Sequence, residues 1–162
     1  DNGRKVTKAG FVKDNRGLTY YLDEKGNKVL GLHEINGDLY YFRRGGAYKY
    51  TQLGDMWQDS INYIDGKIYY FGHDGRAIKN RFYQWGNYWY YFYADGSAAT
   101  GAVQINGQQL YFDKNHGRQV KGAFAPDGHY YDENSGELVT NQTRTIKGVT
   151  YHFDEKGNAT KV

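Results

Sequence analysis

Cysteine is absent from these 162 residues and proline occurs once. Without thiols there is neither a disulfide framework nor a thiolate zinc site. No apolar run is long enough to cross a bilayer as a helix. Charge of one sign is not concentrated anywhere: 21 basic and 18 acidic residues are interspersed, for a net charge of +3. Neither a nucleic-acid surface nor a polybasic membrane patch is indicated, so neither partner is expected. Leucine, isoleucine and valine are sparse and the mean hydropathy is −0.88, yet 39% of residues count as hydrophobic. The difference is aromatic: 18 Tyr, 8 Phe and 3 Trp, beside 22 glycines. A disordered tract lacks such aromatics. Tyrosine must supply much of the buried area here, and each buried hydroxyl asks for water or a polar partner.

The glycines are periodic. Gly17, Gly37, Gly66, Gly86, Gly107, Gly128 and Gly148 stand 20, 29, 20, 21, 21 and 20 residues apart. A second set, Gly26, Gly46, Gly75, Gly96, Gly117, Gly136 and Gly157, keeps step. Between the two lies a triplet: Tyr20-Tyr21-Leu22, Tyr40-Tyr41-Phe42, Tyr69-Tyr70-Phe71, Tyr90-Tyr91-Phe92, Leu110-Tyr111-Phe112, His129-Tyr130-Tyr131 and Tyr151-His152-Phe153. Asn-Gly flanked by apolar residues is the strongest short-range hairpin signal. One hairpin cannot bury its own apolar face, whereas a stack of them can. The expected fold is all-β: a β-solenoid of stacked β-hairpin repeats of about 20–21 residues. A single array over 1–162 is expected, with hairpins near 17–30, 37–50, 66–79, 86–100, 107–121, 128–140 and 148–161. Period-2 geometry puts the first and third triplet residues on one strand face. The third column is expected in the core and the middle column in grooves between copies.

Two stretches depart from the period. The segment 43–63 carries about nine extra residues relative to a 20-residue copy, including Tyr48, Tyr50, Met56 and Trp57. It reads as an enlarged loop packing its aromatics on the stack, or as a modified pocket. Arg81 to Tyr93 is the densest aromatic run, and its copy has one extra residue between Gly86 and the triplet, which predicts a bulge. Tyr83, Trp85 and Trp89 cannot all be buried on one face, so at least one lines a groove.

Catalytic chemistry is not legible. Asp23, Asp74, Asp95, Asp113, Asp132 and Asp154 recur at turns, where Asp bonds its own local backbone. A retaining glycosidase needs two carboxyls about 5 Å apart in a cleft, which turn aspartates do not specifically supply. His33, His73, His116, His129 and His152 never take metal-ligand spacing, and no nucleophile elbow, phosphate-cradling loop or HExxH occurs. No enzyme, metal site or cofactor is expected.

What remains is aromatic grooves flanked by amide, hydroxyl and ammonium groups, which is carbohydrate-binding chemistry. A pyranose lays its C–H face on an aromatic ring, worth roughly 1–2 kcal/mol, and hydroxyl hydrogen bonds add about 1 kcal/mol each. Single pockets are weak, and several on one polymer gain by avidity. The pocket expected at the junction of the fifth and sixth copies uses Gln119 and Lys121, two apart on one side of a return strand, with Tyr130 and Thr140 from the next copy. Only this copy pairs Gln with Lys; the equivalents are Lys28 and Leu30, Ala77 and Lys79, Ala98 and Thr100, Leu138 and Thr140, and Ala159 and Lys161. Secondary candidates are Trp85, Trp89, Lys79 and Tyr91.

The units INGQQLYFDKNHGRQVKG and YYDENSGELVTN resemble the glucan-binding repeats of glucansucrases, the dextransucrase-type enzymes, and of streptococcal glucan-binding proteins. The resemblance covers about residues 10–160. It implies a β-solenoid that binds α-glucan such as dextran or isomaltooligosaccharides, in pockets pairing a stacking tyrosine with a QxK segment and a downstream threonine, here Tyr130, Gln119, Lys121 and Thr140. It also implies a monomeric piece of a larger secreted, cell-surface-associated bacterial protein. Related choline-binding and toxin repeats open with Gly-Trp, where this chain has Gly31-Leu32, Gly101-Ala102 and Gly122-Ala123, which disfavours a three-aromatic choline cage. The competing functions are a choline or teichoic-acid cell-wall anchor, a toxin-like host-glycan array, and an enzyme fragment.

Overall fold

The computed structural model describes residues 9–45 and 53–162. These residues are all-β, with fifteen strands and no helix. Two compact units divide the chain at residues 79 and 80. The first contains the hairpins β1 (Gly10–Lys13) with β2 (Thr19–Leu22), β3 (Gly31–Ile35) with β4 (Asp38–Phe42), and β5 (Ser60–Ile64) with β6 (Lys67–Phe71). The second contains β7 (Arg81–Trp85) with β8 (Tyr88–Phe92), β9 (Gly101–Ile105) with β10 (Gln108–Phe112), β11 (Ala123–Phe124) with β12 (Tyr130–Tyr131), and the three-stranded β13 (Gln142–Ile146), β14 (Val149–Phe153) and β15 (Ala159–Lys161). All pairings are antiparallel.

Each ladder folds about the first glycine of its copy. Asn36-Gly37, Asp65-Gly66, Asn106-Gly107 and Lys147-Gly148 all have positive φ at both positions, the requirement of a type I′ turn, whose twist matches that of the strands it joins. The bulge expected after Gly86 is absent: β7 and β8 pair without interruption from Arg81↔Phe92 to Trp85↔Tyr88. The extra residue arises because glycine takes the first turn position, before Asn87, instead of the second. Positive φ is then needed at Gly86 (φ 62), as in type II′ turns.

The expected return strands are mostly single bridges, namely Leu22↔Lys28, Phe42↔Met56, Phe71↔Ala77, Phe92↔Ala98, Phe112↔Gln119 and Tyr131↔Leu138. Only the last copy extends its return into a strand, β15. The reason is that this limb is shared between copies. Val120 N donates to Tyr111 O within the fifth copy at 2.8 Å, while Gln119 N donates to Trp89 O of the fourth at 2.8 Å. Leu138 and Ala77 repeat the outward bond, to Gln109 O at 2.9 Å and Leu39 O at 2.8 Å. Within each unit, successive copies are thus stitched along the stack.

The third column is core, with Phe42, Phe71, Phe92, Phe112, Tyr131 and Phe153 all at 0% exposure. The middle column lies between copies as expected, and Tyr41, Tyr70, Tyr111 and Tyr130 are buried there. Four of its rings pack on the third-column ring of the following copy: Tyr21–Phe42 (6.3 Å), Tyr41–Phe71 (6.4 Å), Tyr111–Tyr131 (5.7 Å) and Tyr130–Phe153 (6.1 Å). Burying a tyrosine there satisfies the apolar face that a lone hairpin leaves open.

In the long segment, Tyr48 and Tyr50 lie outside the described residues, as do residues 46–50 of the second expected hairpin. The chain returns at Met56, and Gly54 (φ 85) takes the second-turn place. The neck is closed by Gly54 N to Arg43 O (2.8 Å), Arg43 N to Asp55 O (3.1 Å) and an Arg43–Asp55 ion pair at 2.9 Å. Trp57 packs on Tyr41 at 4.4 Å. The described part of this segment therefore packs its indole on the core.

The turn aspartates do what the sequence predicts. Asp113 accepts from the backbone N–H groups of Asn115, His116 and Arg118, and Asp132 from those of Asn134 and Ser135. They also answer the tyrosine hydroxyls: Tyr20 donates to Asp14 at 3.1 Å and Tyr131 to Asp127 at 2.6 Å. The Ser135 N–H, the Arg144 guanidinium and the Asn134 N–H hold the Asp132 carboxyl far below the usual carboxylate range. Desolvation pushes the Asp14 carboxyl up, but Arg16 and the N–H groups of Leu18 and Arg16 outweigh it, leaving about 2. A depressed folded pKa gives stability that is complete above the unfolded value of about 3.9 and is lost as pH falls through the folded value. The urea midpoint should accordingly be flat from neutrality to about pH 4 and fall steeply below. Asp132→Asn should lower the neutral midpoint and flatten that acid limb, and an unchanged limb would show that Asp132 carries none of it.

Candidate functional site

The fourth hairpin places Trp89 at 36% exposure near the start of β8, with the exposed Gln84 opposite it. The return segment of the fifth copy runs past it. Gln119 is fixed by its backbone bond to Trp89 O, and Lys121, two residues on, brings Nζ to 5.5 Å from the indole centroid. Gln119 also covers the second-turn glycine of the next copy: a Cβ added at Gly136 would strike its amide and touch Lys121 Cγ. Met56 over Gly75 and Leu138 over Gly157 play the same covering part elsewhere. The structure thus brings Gln119 and Lys121 together, with Trp89 as their exposed ring.

Tyr130 lies elsewhere in the same unit. At 6% exposure its ring is packed by Phe124 (5.2 Å, 65°) and Phe153 (6.1 Å, 38°). It lines a groove formed with the seventh hairpin, to which Gln119, Lys121 and Thr140 do not contribute. The exposed ring of that groove is Phe124, 39% accessible and set edge-on to both Tyr130 and Tyr151. The backbone carbonyl of Thr140 accepts from Gln142 Nε2 at 3.2 Å.

The first unit repeats this arrangement. Phe11, 44% exposed, stands edge-on to Tyr21 (4.9 Å, 75°) and Tyr40 (5.1 Å, 61°). Phe11 and Tyr40 line a cavity of about 410 Å³ with Lys13, Met56 and Asp74 among its walls. Phe11 and Phe124 lie outside the periodic triplets that mark the repeat. Their signal was available: each pairs directly with a middle-column tyrosine, Phe11↔Tyr21 and Phe124↔Tyr130.

Of the secondary candidates, Lys79 donates its ammonium to Gly37 O, which ties the third copy to the turn between β3 and β4 in the copy before it. Tyr91 is half-buried between Phe82 (4.8 Å) and Tyr93 (5.6 Å). Trp85 is 40% exposed opposite Tyr88, over whose ring Arg118 sits at 4.0 Å. No group of three or more His, Cys, Asp or Glu side chains among the described residues is arranged to hold a metal ion.

Comparison with known proteins follows the same lines. Residues 99–142 match the choline-binding repeat family, and residues 9–28 and 80–98 match a cell wall binding repeat. Glucosyltransferase-I of Streptococcus downei is 38% identical over 165 residues, covering 98% of this chain and 10% of that protein. Glucosyltransferase-S of Streptococcus mutans serotype c is 38% identical over 155 residues, covering 92% and 10%. The chain thus spans about a tenth of the length of these relatives. Among solved structures, choline binding protein F of Streptococcus pneumoniae superimposes with a TM-score of 0.74 at 27% identity, over 94% of this chain and 48% of that one. CbpJ of Streptococcus pneumoniae gives 0.75 at 28% identity, over 94% and 48%.

Proposed function

We propose, for a chain that belongs to the repeat domains of streptococcal-type glucosyltransferases and their choline-binding-repeat kin, a non-catalytic carbohydrate-binding role. It holds α-glucan, dextran-like polymer above all, on behalf of a longer secreted protein that acts at the cell surface. The hairpins are read as turns of a β-solenoid, supported by the hydrogen bonds that stitch successive copies within each unit. The observation that carries the reading is the exposed Trp89 ring with the Lys121 ammonium beside it and Gln119 fixed to its backbone. That is a platform for a sugar's C–H face with hydrogen-bonding groups at its rim. Tyr130, expected to complete this pocket together with Thr140, is proposed to serve the neighbouring junction instead.

A second reading has its own support. The cavity of Phe11, Tyr40 and Met56 with Asp74 at its edge has the aromatic walls and the carboxylate that suit a quaternary ammonium group such as choline. Lys13 in the same wall opposes a cation. Electrophoresis of the protein through a gel containing dextran, run beside elution from a quaternary-amine resin with choline, separates the two. Retardation by dextran is expected, unchanged by EDTA and little changed by salt, since sugar hydroxyls carry no charge to screen. Free migration through dextran together with choline-dependent elution would overturn the glucan reading.

A further inference from the structure

The groove at the junction of the sixth and seventh copies has two ends of different chemistry. One cavity of about 370 Å³ is walled by Phe124, Val149 and Tyr151. The other, about 420 Å³, is walled by Glu133, Arg144 and Thr145. Both share Gly122, Tyr130, Ile146 and Lys147, so they are one continuous groove. The β13–β14 pairing explains the polarity: Ile146↔Val149 and Arg144↔Tyr151 alternate along one face, with the apolar members toward the turn and toward Phe124. Each half is within the range of small-ligand pockets, about 300–1,000 Å³, and one hexose ring fills one half and leaves the other open.

Lys147 is the informative residue. It occupies the first turn position at φ 49, where the equivalent turns have Asn36, Asp65 and Asn106. Asparagine and aspartate tolerate the left-handed region, and lysine there is strained. Neither Lys147 nor Glu133 is held by another group among the described residues, and both face the groove. Arg144, by contrast, is held by Asp132 at 2.8 Å and Gln142 at 2.9 Å, so it walls the groove without being free to turn.

We infer that this groove is a two-subsite site for two consecutive residues of an α-linked glucan, one ring lying on Phe124 and the next held through its hydroxyls by Glu133 and Lys147. The inference rests on the carbohydrate reading above. It differs from the Trp89 platform in needing a disaccharide to fill it.

The test follows the Phe124 and Tyr151 ring resonances by NMR while titrating methyl α-glucoside and, separately, isomaltose. Isomaltose is expected to bind about thirtyfold more tightly, since two hydrogen bonds of about 1 kcal/mol are added. Glu133→Gln and Lys147→Asn are each expected to lower that ratio about fivefold by weakening one of the two bonds, and Glu133→Gln, which lies outside the Phe124 half, leaves the monosaccharide affinity unchanged. Lys147→Asn should at the same time raise the melting temperature by relieving the backbone, a pairing of signs that a damaged fold cannot produce. Equal affinities for the two sugars, or a ratio untouched by both variants, overturns the proposal. Sugar-induced shifts at Trp89 with none at Phe124 or Tyr151 overturn this site alone, whereas shifts at neither overturn the carbohydrate reading with it.

Discussion

Phe112→Ala is expected to lower the unfolding free energy of the second unit by about 3–5 kcal/mol, the usual cost of removing a large aromatic from a packed core. Phe112 is wholly buried and packs with Ala99, Ile105 and Leu110. It also holds two backbone pairings, to Gly101 in β9 and to Gln119 in the return segment. Such a cost is a large fraction of what a domain of this size has in reserve, about 5–15 kcal/mol. In a repeat array it acts on neighbours first. Amide exchange should therefore accelerate most in the fourth to sixth copies, including the stitching amides of Gln119 and Leu138, and less in the β13–β15 sheet. Phe112→Leu, which copies the residue of the first repeat, Leu22, should cost under about 1.5 kcal/mol. An unfolding midpoint for Phe112→Ala equal to the parent's would mean that the third column is not what holds the unit together.

Trp89→Ala should weaken short α-gluco-oligosaccharide binding at the platform between the fourth and fifth copies by about 1–2 kcal/mol, roughly fivefold to thirtyfold, through loss of the apolar face. Affinity per site starts near millimolar, about −4 kcal/mol, so the remaining binding would fall below detection by titration calorimetry. The indole is more than a third exposed and its backbone carbonyl still accepts from Gln119, so the fold should survive the change. Trp89→Phe keeps an aromatic plane and should lose much less. Lys121→Ala should remove one hydrogen-bonding partner, about 1 kcal/mol. Tyr130→Ala is a poorer probe, because its ring is a buried element of the Val139 and Phe153 cluster and the variant would lose stability first. Long dextran could still be retained through other copies, since avidity redistributes binding among sites, which makes short oligosaccharides the decisive ligand. Unchanged affinity for them in a folded Trp89→Ala protein would move the platform away from this hairpin.

The glycine period and the alternation within each triplet were enough to place the third column inside, because a period of two has only two faces and only one of them is apolar in every copy. The turn aspartates were equally legible, since their bonds run to backbone N–H groups two to five residues away, as with Asp113 and Arg118. Asn106-Gly107 and its counterparts announced their turns for the same reason. What these features share is that both partners lie within one copy, so the physics that joins them is written over a few consecutive residues.

The sites were different. Gln119 and Lys121 were correctly seen as projecting together, a local property of residues two apart. The ring they meet was not legible, because Trp89 belongs to a hairpin thirty residues earlier and is brought alongside by a backbone bond between copies. The middle column was expected in grooves between copies, and packing on the next copy's third column there buries Tyr130 and leaves Phe124 as the exposed ring beside it. The extra residue beside Gly86 looked like a bulge until strand register showed glycine moved by one turn position. Sequence by itself thus determined the repeat, its turns and its core face, all of which follow from local backbone geometry and burial. Which rings remain open to a ligand was decided only by the tertiary structure, because exposure at a junction depends on how far one copy overlaps the next, and no residue within a single copy encodes that distance.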